Sequence, residues 1–257
     1  MNPNWNKWGH IMEQKLRRLR AAEFARLTLT AFAICVLSIG INSAAEANPI
    51  TWDFTGSGSE GTVGNERTFT AGGITVTANA WSYDSSFQEA RLGQWSTGIA
   101  VCGVPETCTN PYHQVDNVGE HEFVLLRFSS LIDPLTVRVD PYGTYDRDVS
   151  YWVGNVNPSI NLLGKTFGDL GGLGFLSRID SDGTASSSFR DVSINNPFLV
   201  NALLIGAKYL GAGDGADRFK ITLMSGNVVP VPGTLLMFGL GTVLFFGWHH
   251  LRIVALG

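Results

Sequence analysis

Apolar and polar residues alternate along most of the chain between residues 48 and 228, and no other feature constrains the fold as strongly. A period of two describes a strand with one face in a core and the other in water. Longer apolar runs indicate central strands that are covered on both faces. Alternation occurs at residues 50–54, 74–80, 135–139, 149–153 and 219–223, and the continuous runs are residues 123–128 and 199–205.

No part of this region has the i, i+3, i+4 apolar spacing of an amphipathic helix. About ten short strands separated by Gly, Asn, Asp and Ser favour an all-β fold, an antiparallel β-sandwich with a jelly-roll-like outline. A β-barrel is the alternative architecture. The Gly/Ser-rich residues 155–188 are weakly patterned, and we predict long surface loops there with one strand near residues 170–176.

The N-terminus has the order of a signal peptide. Six basic and two acidic residues lie within positions 1–26, and residues 27–41 form an uncharged apolar run. Ala45 and Ala47 then supply the small residues that signal peptidase requires. We predict a signal peptide over residues 1–47 with an N-terminal signal helix, cleaved after Ala47, with translation starting at Met1 or Met12. The alternative is an uncleaved anchor, for which the apolar run is short.

The C-terminus combines a proline motif, an apolar stretch and a basic end. The prolines make an extended segment that a protease cleft can grip. Residues 234–251 form the predicted transmembrane helix, and the basic end marks the cytoplasmic side. We predict a sorting tail over residues 229–257, with a plain single-span anchor as the alternative. Its motif residues are Val229, Pro230, Val231, Pro232, Gly233 and, at the basic end, Arg252.

This tail resembles the PEP-CTERM sorting signal of Gram-negative bacteria that make extracellular polysaccharide. The body, through residues 80–82, 92–102, 113–129 and 148–155, is similar to exosortase-dependent PEP-CTERM surface proteins. The resemblance implies signal peptidase and an exosortase-type protease as partners, a precursor anchored in the inner membrane, and a final location at the cell surface or outside the cell. It brings no catalytic residues.

The predicted extracytoplasmic domain, residues 48–228, is acidic and contains two cysteines. It has 11 Lys/Arg against 19 Asp/Glu, a net charge of −8, which argues against nucleic acid as a partner. Cys102 and Cys108 close a short loop, and in an exported chain they indicate a disulfide. A zinc site is the alternative, but it would need two further ligands.

The densest polar segment is residues 113–122. Asp116, Asn117 and Glu120 supply oxygen ligands on a turn, which suits Ca²⁺. A turn in which Asp116 and Asn117 bond to local backbone is the structural alternative, and catalysis is a third reading. His113 and His121 could ligate a transition metal, but they do not form a His-Glu-x-x-His motif.

Aromatic residues are numerous for an acidic domain, and some could line a groove that contacts a glycan. Trp152 should face away from the core if Tyr151 faces into it. The candidates for glycan contact are Trp81, Tyr142, Tyr145 and Trp152.

Three functions follow from these features. The leading hypothesis is a non-enzymatic surface or matrix protein associated with exopolysaccharide. The first alternative is a calcium-dependent carbohydrate-binding module. The second is a polysaccharide-degrading enzyme, for which Asp140, Asp146 and Asp148 would be the carboxylates to consider.

Overall fold

The computed structural model describes residues 49–106, 108, 113–209 and 215–228, together with Glu13. The signal peptide with Ala45 and Ala47, the motif at residues 229–233, the predicted transmembrane helix and Arg252 all lie outside the described residues. Within the described part of the chain, no helix is both long enough and apolar enough to cross a membrane.

The described chain is all-β, with its strands in one large antiparallel sheet, which confirms the all-β class predicted from the alternation. Its two 3-10 helices are single turns, Phe167–Asp169 and Gly171–Leu173. The strands are β1 Ile50–Asp53, β2 Glu66–Ala71, β3 Ile74–Tyr83, β4 Phe87–Glu89, β5 Arg91–Trp95, β6 Gly98–Cys102, β7 Val115–Asp116, β8 His121–Asp140, β9 Val149–Gly154, β10 Ile179–Ser181, β11 Arg190–Ser193, β12 Val200–Ala207 and β13 Arg218–Val228.

Strand β8 organises the sheet because its two halves have different neighbours. Its first half pairs with β3 on one side and β12 on the other, and β9 follows β12. Its second half pairs with β13 and β11. The sequence predicted two separate strands here, but a single strand of 20 residues runs through both layers. Strands that change layers in this way form the corners of sandwich-like folds.

The inter-sheet core is built from side chains that the alternation placed on one face. Val124 and Leu126 of β8, Leu203 of β12 and Val137 of the second half of β8 are all fully buried there. Tyr151 of β9 also points into this core, and its hydroxyl accepts a hydrogen bond from the Asn195 backbone N–H (2.9 Å). Both halves of β8 therefore bury one face in the same core.

The opposite face of β3, β8, β12 and β9 is also buried, as the continuous apolar runs predicted. It is covered by residues 155–176, which we call the covering segment. Leu162, Leu170 and Phe175 of this segment are buried against the sheet. The strand predicted near residues 170–176 is absent, because the chain forms the two single-turn 3-10 helices there. Hydrophobic anchors and a few backbone hydrogen bonds, rather than a regular strand, hold this segment in place.

One end of the fold gathers most of the polar residues singled out in the sequence. Strand β7 pairs with the start of β13, with Asp116 opposite Arg218. An isolated bridge joins Asp146 to Asp217 immediately before β13. The 113–122 segment and the 140–148 loop therefore lie close to the same strand.

Candidate functional site

The disulfide predicted from sequence is present beside this polar region. Cys102 and Cys108 are bonded, with their Cα atoms 5.9 Å apart. Cys102 is the last residue of β6 and is buried, so the bond closes the following loop against the sheet. Glu106 lies within that loop and is brought next to the 113–122 segment.

The first polar group, which we call the His113 cluster, consists of Glu106, His113, Asp116, Glu120 and Glu122. Glu122 is fully buried, and its two carboxylate oxygens accept hydrogen bonds from the backbone N–H groups of Gly103 and Asp116, each at 3.0 Å. The His113 Nε2 atom lies 3.8 Å from Glu122 Oε1. No described lysine or arginine forms an ion pair with Glu122. A buried carboxylate without a strong cationic partner is costly to keep charged.

The ionisation of these groups reflects their burial. Burial raises the pKa of Glu122 well above its usual value, and the nearby carboxylates of Asp116 and Glu106 raise it further. Burial also raises the pKa of Glu106, with Asp116 and Glu120 adding to the effect. The pKa of His113 is lowered to about 4 by burial, followed by the charges of Lys220 and Arg91. His113 is therefore neutral at pH 7.

The predicted calcium residues do not converge on one point. Asp116 and Glu120 both lie near Glu106, where they raise its pKa. Asp116 Oδ1 accepts the Val118 backbone N–H at 3.0 Å, which is the local bond of an Asx turn. Asn117 points elsewhere, because its Nδ2 donates to Asp217 Oδ2 at 2.8 Å.

The second polar group, which we call the Asp217 network, joins carboxylates that are far apart in sequence. Acid oxygens of Asp146, Asp148 and Asp217 lie within 4.8 Å of one another. Asp217 Oδ1 accepts the Asp148 backbone N–H at 2.9 Å, while Lys208 Nζ donates to Asp148 Oδ2 at 3.2 Å. These carboxylates therefore have hydrogen-bond donors, and the network ties β13 to two loops. Sequence reasoning missed Asp217 as a partner, since only the fold brings it to residues 146–148.

The predicted glycan-contacting aromatics fall into two places. Trp81 and Trp152 are each 4% exposed and belong to the aromatic cluster under the covering segment. Trp152 lies on the opposite face from Tyr151, where the covering segment buries most of its ring and the rest borders the cleft described below. Tyr142 is exposed and Tyr145 is half-buried, and both lie on the 141–148 loop. The guanidinium carbon of Arg218 lies 5.1 Å from the Tyr145 ring centroid.

An open cleft of about 550 Å³ borders this aromatic cluster, and we call it the aromatic cleft. The ring of Trp152 is stacked on Phe167 with centroids 5.1 Å apart and planes 12° from parallel. Phe167 also contacts Tyr209, at 4.1 Å between centroids. Arg178 lies at the edge, where its Nη1 donates to the Tyr209 carbonyl at 2.9 Å. Apolar walls with a few polar groups at the edge are typical of small-molecule binding sites.

The described chain thus brings together three features that could act in binding: the His113 cluster, the Asp217 network and the aromatic cleft. Comparisons with protein-family models, with curated proteins and with solved structures found no match to this chain.

Proposed function

We propose that this chain is an exported, exosortase-sorted protein of the cell surface or extracellular matrix, associated with exopolysaccharide and without enzymatic activity. The observation that carries the proposal is the order of the tail, a proline motif followed by an apolar stretch and a basic end over residues 229–252. We also propose that the all-β domain has a jelly-roll-like outline and that the chain has an N-terminal signal helix and a C-terminal transmembrane helix.

Two properties of the chain support export. A Cys102–Cys108 disulfide is a bond of oxidising compartments, so it fits a domain outside the cytoplasm. The net charge of −8 over residues 48–228 fits a soluble body that does not adhere to anionic lipid or nucleic acid.

Fractionation of cells that make the full chain tests the proposal. In an exopolysaccharide-producing Gram-negative host with an exosortase, we expect a shortened product at the surface or in the medium. The double variant Pro230→Ala/Pro232→Ala should accumulate as a larger form in the inner membrane. The same host without its exosortase is the matched control and should retain the unchanged chain in the same way. A product found only in the cytoplasm would contradict the proposal.

The aromatic cleft supports a second function, a carbohydrate-binding module. A sugar ring has the size and mixed polarity for such a cleft, with Phe167 and Tyr209 as apolar contacts and Arg178 as a hydrogen-bond donor. The dependence on calcium predicted for Asp116, Asn117 and Glu120 is a separate part of this proposal.

Binding of the full chain to the host's own exopolysaccharide tests this second function. We expect Phe167→Ala to weaken binding, while Phe189→Ala, which removes an exposed ring outside the cleft, should leave binding unchanged. A chelator arm tests the calcium prediction independently. Equal binding by both variants would show that the cleft is not the glycan-binding site. If the folded chain does not bind the exopolysaccharide at all, the carbohydrate-binding function is excluded and the matrix role is the one that remains.

A further inference from the structure

The His113 cluster contains two buried polar atoms, one nitrogen and one oxygen, that lack a hydrogen-bond partner. His113 is 9% exposed, and its Nε2 is buried and forms no hydrogen bond. Glu120 Oε2 is buried and likewise has no partner. Buried polar atoms in folded proteins almost always have partners, so both of these atoms are available to coordinate a ligand.

The spacing of these atoms suits a metal ion. His113 Nε2 and Glu122 Oε1 are 3.8 Å apart, which is too long for a hydrogen bond. Two ligands of one tetrahedral zinc ion, with bonds of about 2.1 Å, lie about 3.4 Å apart. A carboxylate oxygen of Glu106 lies within 4.8 Å of an imidazole nitrogen of His113.

Gly103 leaves space beside these groups. A Cβ atom built on Gly103 would lie 3.1 Å from Glu120 Oε2 and 3.7 Å from Glu106 Cγ. The backbone N–H of Gly103 also holds Glu122 Oε1 in position. A side chain at residue 103 would therefore crowd Glu120 and Glu106, and its absence leaves both carboxylates room beside Glu122.

We propose that the His113 cluster binds one zinc-class divalent cation through His113 Nε2 and the carboxylates of Glu106 and Glu122. Glu120 Oε2 supplies the fourth ligand. A neutral imidazole is the commonest nitrogen ligand of transition metals, whereas Ca²⁺ takes oxygen ligands alone, so the histidine favours zinc over calcium. Cys102 lies beside these ligands, but its sulfur is committed to the disulfide.

Four protein ligands make a closed site, which is typical of structural rather than catalytic zinc. The ion would join the disulfide-closed loop, which carries Glu106, to the beginning of β8, which carries Glu122. It would also offset the concentration of negative charge that these carboxylates create. This inference does not depend on sorting or on glycan binding.

Titration of the full chain with Zn²⁺ alone tests the site. The chain is purified without an affinity tag and freed of metal by chelation, and its Cys102–Cys108 disulfide is confirmed to be intact. Because His249 and His250 could bind zinc themselves, the measurements use a His249→Ala/His250→Ala background. We expect one Zn²⁺ per chain by calorimetry and a higher midpoint of thermal unfolding with zinc. Ca²⁺ at the same concentration should produce neither effect.

Two ligand variants and one matched control complete the test. His113→Gln and Glu106→Gln should each weaken Zn²⁺ binding by at least about tenfold. Glu106 is only half-buried in a loop, so Glu106→Gln should keep the fold, which circular dichroism verifies. Asp84→Asn, at an exposed carboxylate after β3, should bind zinc like the parent chain.

A folded chain that binds no Zn²⁺ overturns the proposal and leaves a proton shared among the carboxylates as the explanation of the cluster. Binding of Ca²⁺ but not Zn²⁺ also overturns it, as does zinc binding that is unchanged in Glu106→Gln.

Discussion

The two faces of the strand set β3, β8, β12 and β9 are buried by different means. One face packs against other hydrogen-bonded strands of the same large sheet, and residues such as Leu126 and Val137 belong to the core between them. The other face packs against the covering segment, where Phe123 and Trp152 meet side chains from single-turn 3-10 helices. The first partner is a regular sheet, whereas the second is irregular chain.

This difference shows how little regular structure is needed to bury a sheet face. The two ends of the covering segment are bonded to each other, from Asn155 N–H to the Gly174 carbonyl (3.1 Å), and the second end is attached to β9, from Leu176 N–H to the Val153 carbonyl (2.8 Å). In its middle, Phe87 N–H of β4 donates to the Lys165 carbonyl (2.8 Å) and Gly164 N–H donates to the Phe87 carbonyl (2.9 Å). Elsewhere its attachment depends on buried side chains such as Leu162 and Leu170. We therefore expect this face to be less rigid and to open locally before the sandwich unfolds.

The largest test of this comparison is a pair of substitutions at adjacent positions of β8. Leu126 faces the inter-sheet core and Leu125 faces the covering segment, and both are buried. We expect Leu126→Ala to lower the free energy of unfolding by about 4 kcal/mol and Leu125→Ala by about 2–3 kcal/mol. The irregular segment can move into the space left by Leu125, whereas two sheets cannot.

Urea unfolding of the full chain, followed by tryptophan fluorescence, measures both values. Equal costs for the two variants would show that the covering segment is as rigid as a sheet.

A second test concerns an anchor of the covering segment itself. Leu170→Ala should lower the free energy of unfolding by about 2 kcal/mol, since Leu170 is buried against the aromatic cluster. Its main effect should be local, with faster hydrogen exchange at the Leu176 N–H but not at the Leu126 N–H. Leu163→Ala, in the same segment but 57% exposed, is the control and should change stability by under about 0.5 kcal/mol. A uniform rise in exchange over the whole sheet would contradict a separate opening.

A third test uses pH, because β13 carries a buried lysine, Lys220. Lys220 packs over the Trp95 ring (Nζ to centroid 4.6 Å), and burial lowers its pKa to about 8 from 10.5. Between pH 8 and pH 10.5 Lys220 is protonated in the unfolded chain but largely deprotonated in the folded chain. The free energy of unfolding therefore rises as pH increases through this range. The expected rise is about 1–2 kcal/mol between pH 8 and 10.5.

Chemical unfolding at several pH values measures this slope, and Lys220→Met should reduce it. Trp152→Phe, on the aromatic face, should keep the slope of the parent chain. A slope that is equal in the parent chain and Lys220→Met would assign the pH dependence to other groups.

The smallest effect is expected from a surface ion pair between β8 and β11. Arg138 binds Asp191 through two hydrogen bonds, of 2.8 and 2.9 Å, but both side chains are partly exposed. Arg138→Gln should therefore lower the free energy of unfolding by no more than about 1 kcal/mol, and less in 1 M salt. A cost that matches that of Leu126→Ala would show that this edge of the inter-sheet layer depends on charge rather than on packing.

The sequence by itself predicted the all-β class, several of the strands, the disulfide and the two-sided burial of the central strands. Side-chain alternation is a local property of extended chain, so the positions of Tyr151 and Trp152 on opposite faces followed from adjacency alone. The Cys102–Cys108 bond followed from short spacing. The nature of the cover over Trp152 could not be predicted, because residues 155–176 lack periodicity and are placed by contacts with distant strands.

Only the tertiary structure decided which polar groups meet. It directed Asn117 to Asp217, 100 residues later in the chain, and placed Glu106 beside His113 through the disulfide-closed loop. It also joined two predicted strands into the continuous β8, and both halves of β8 contribute buried side chains to the same core. The physical reason is that periodicity reports the environment of each residue along its own strand, whereas the pairing of strands and loops depends on non-local packing that leaves no local pattern.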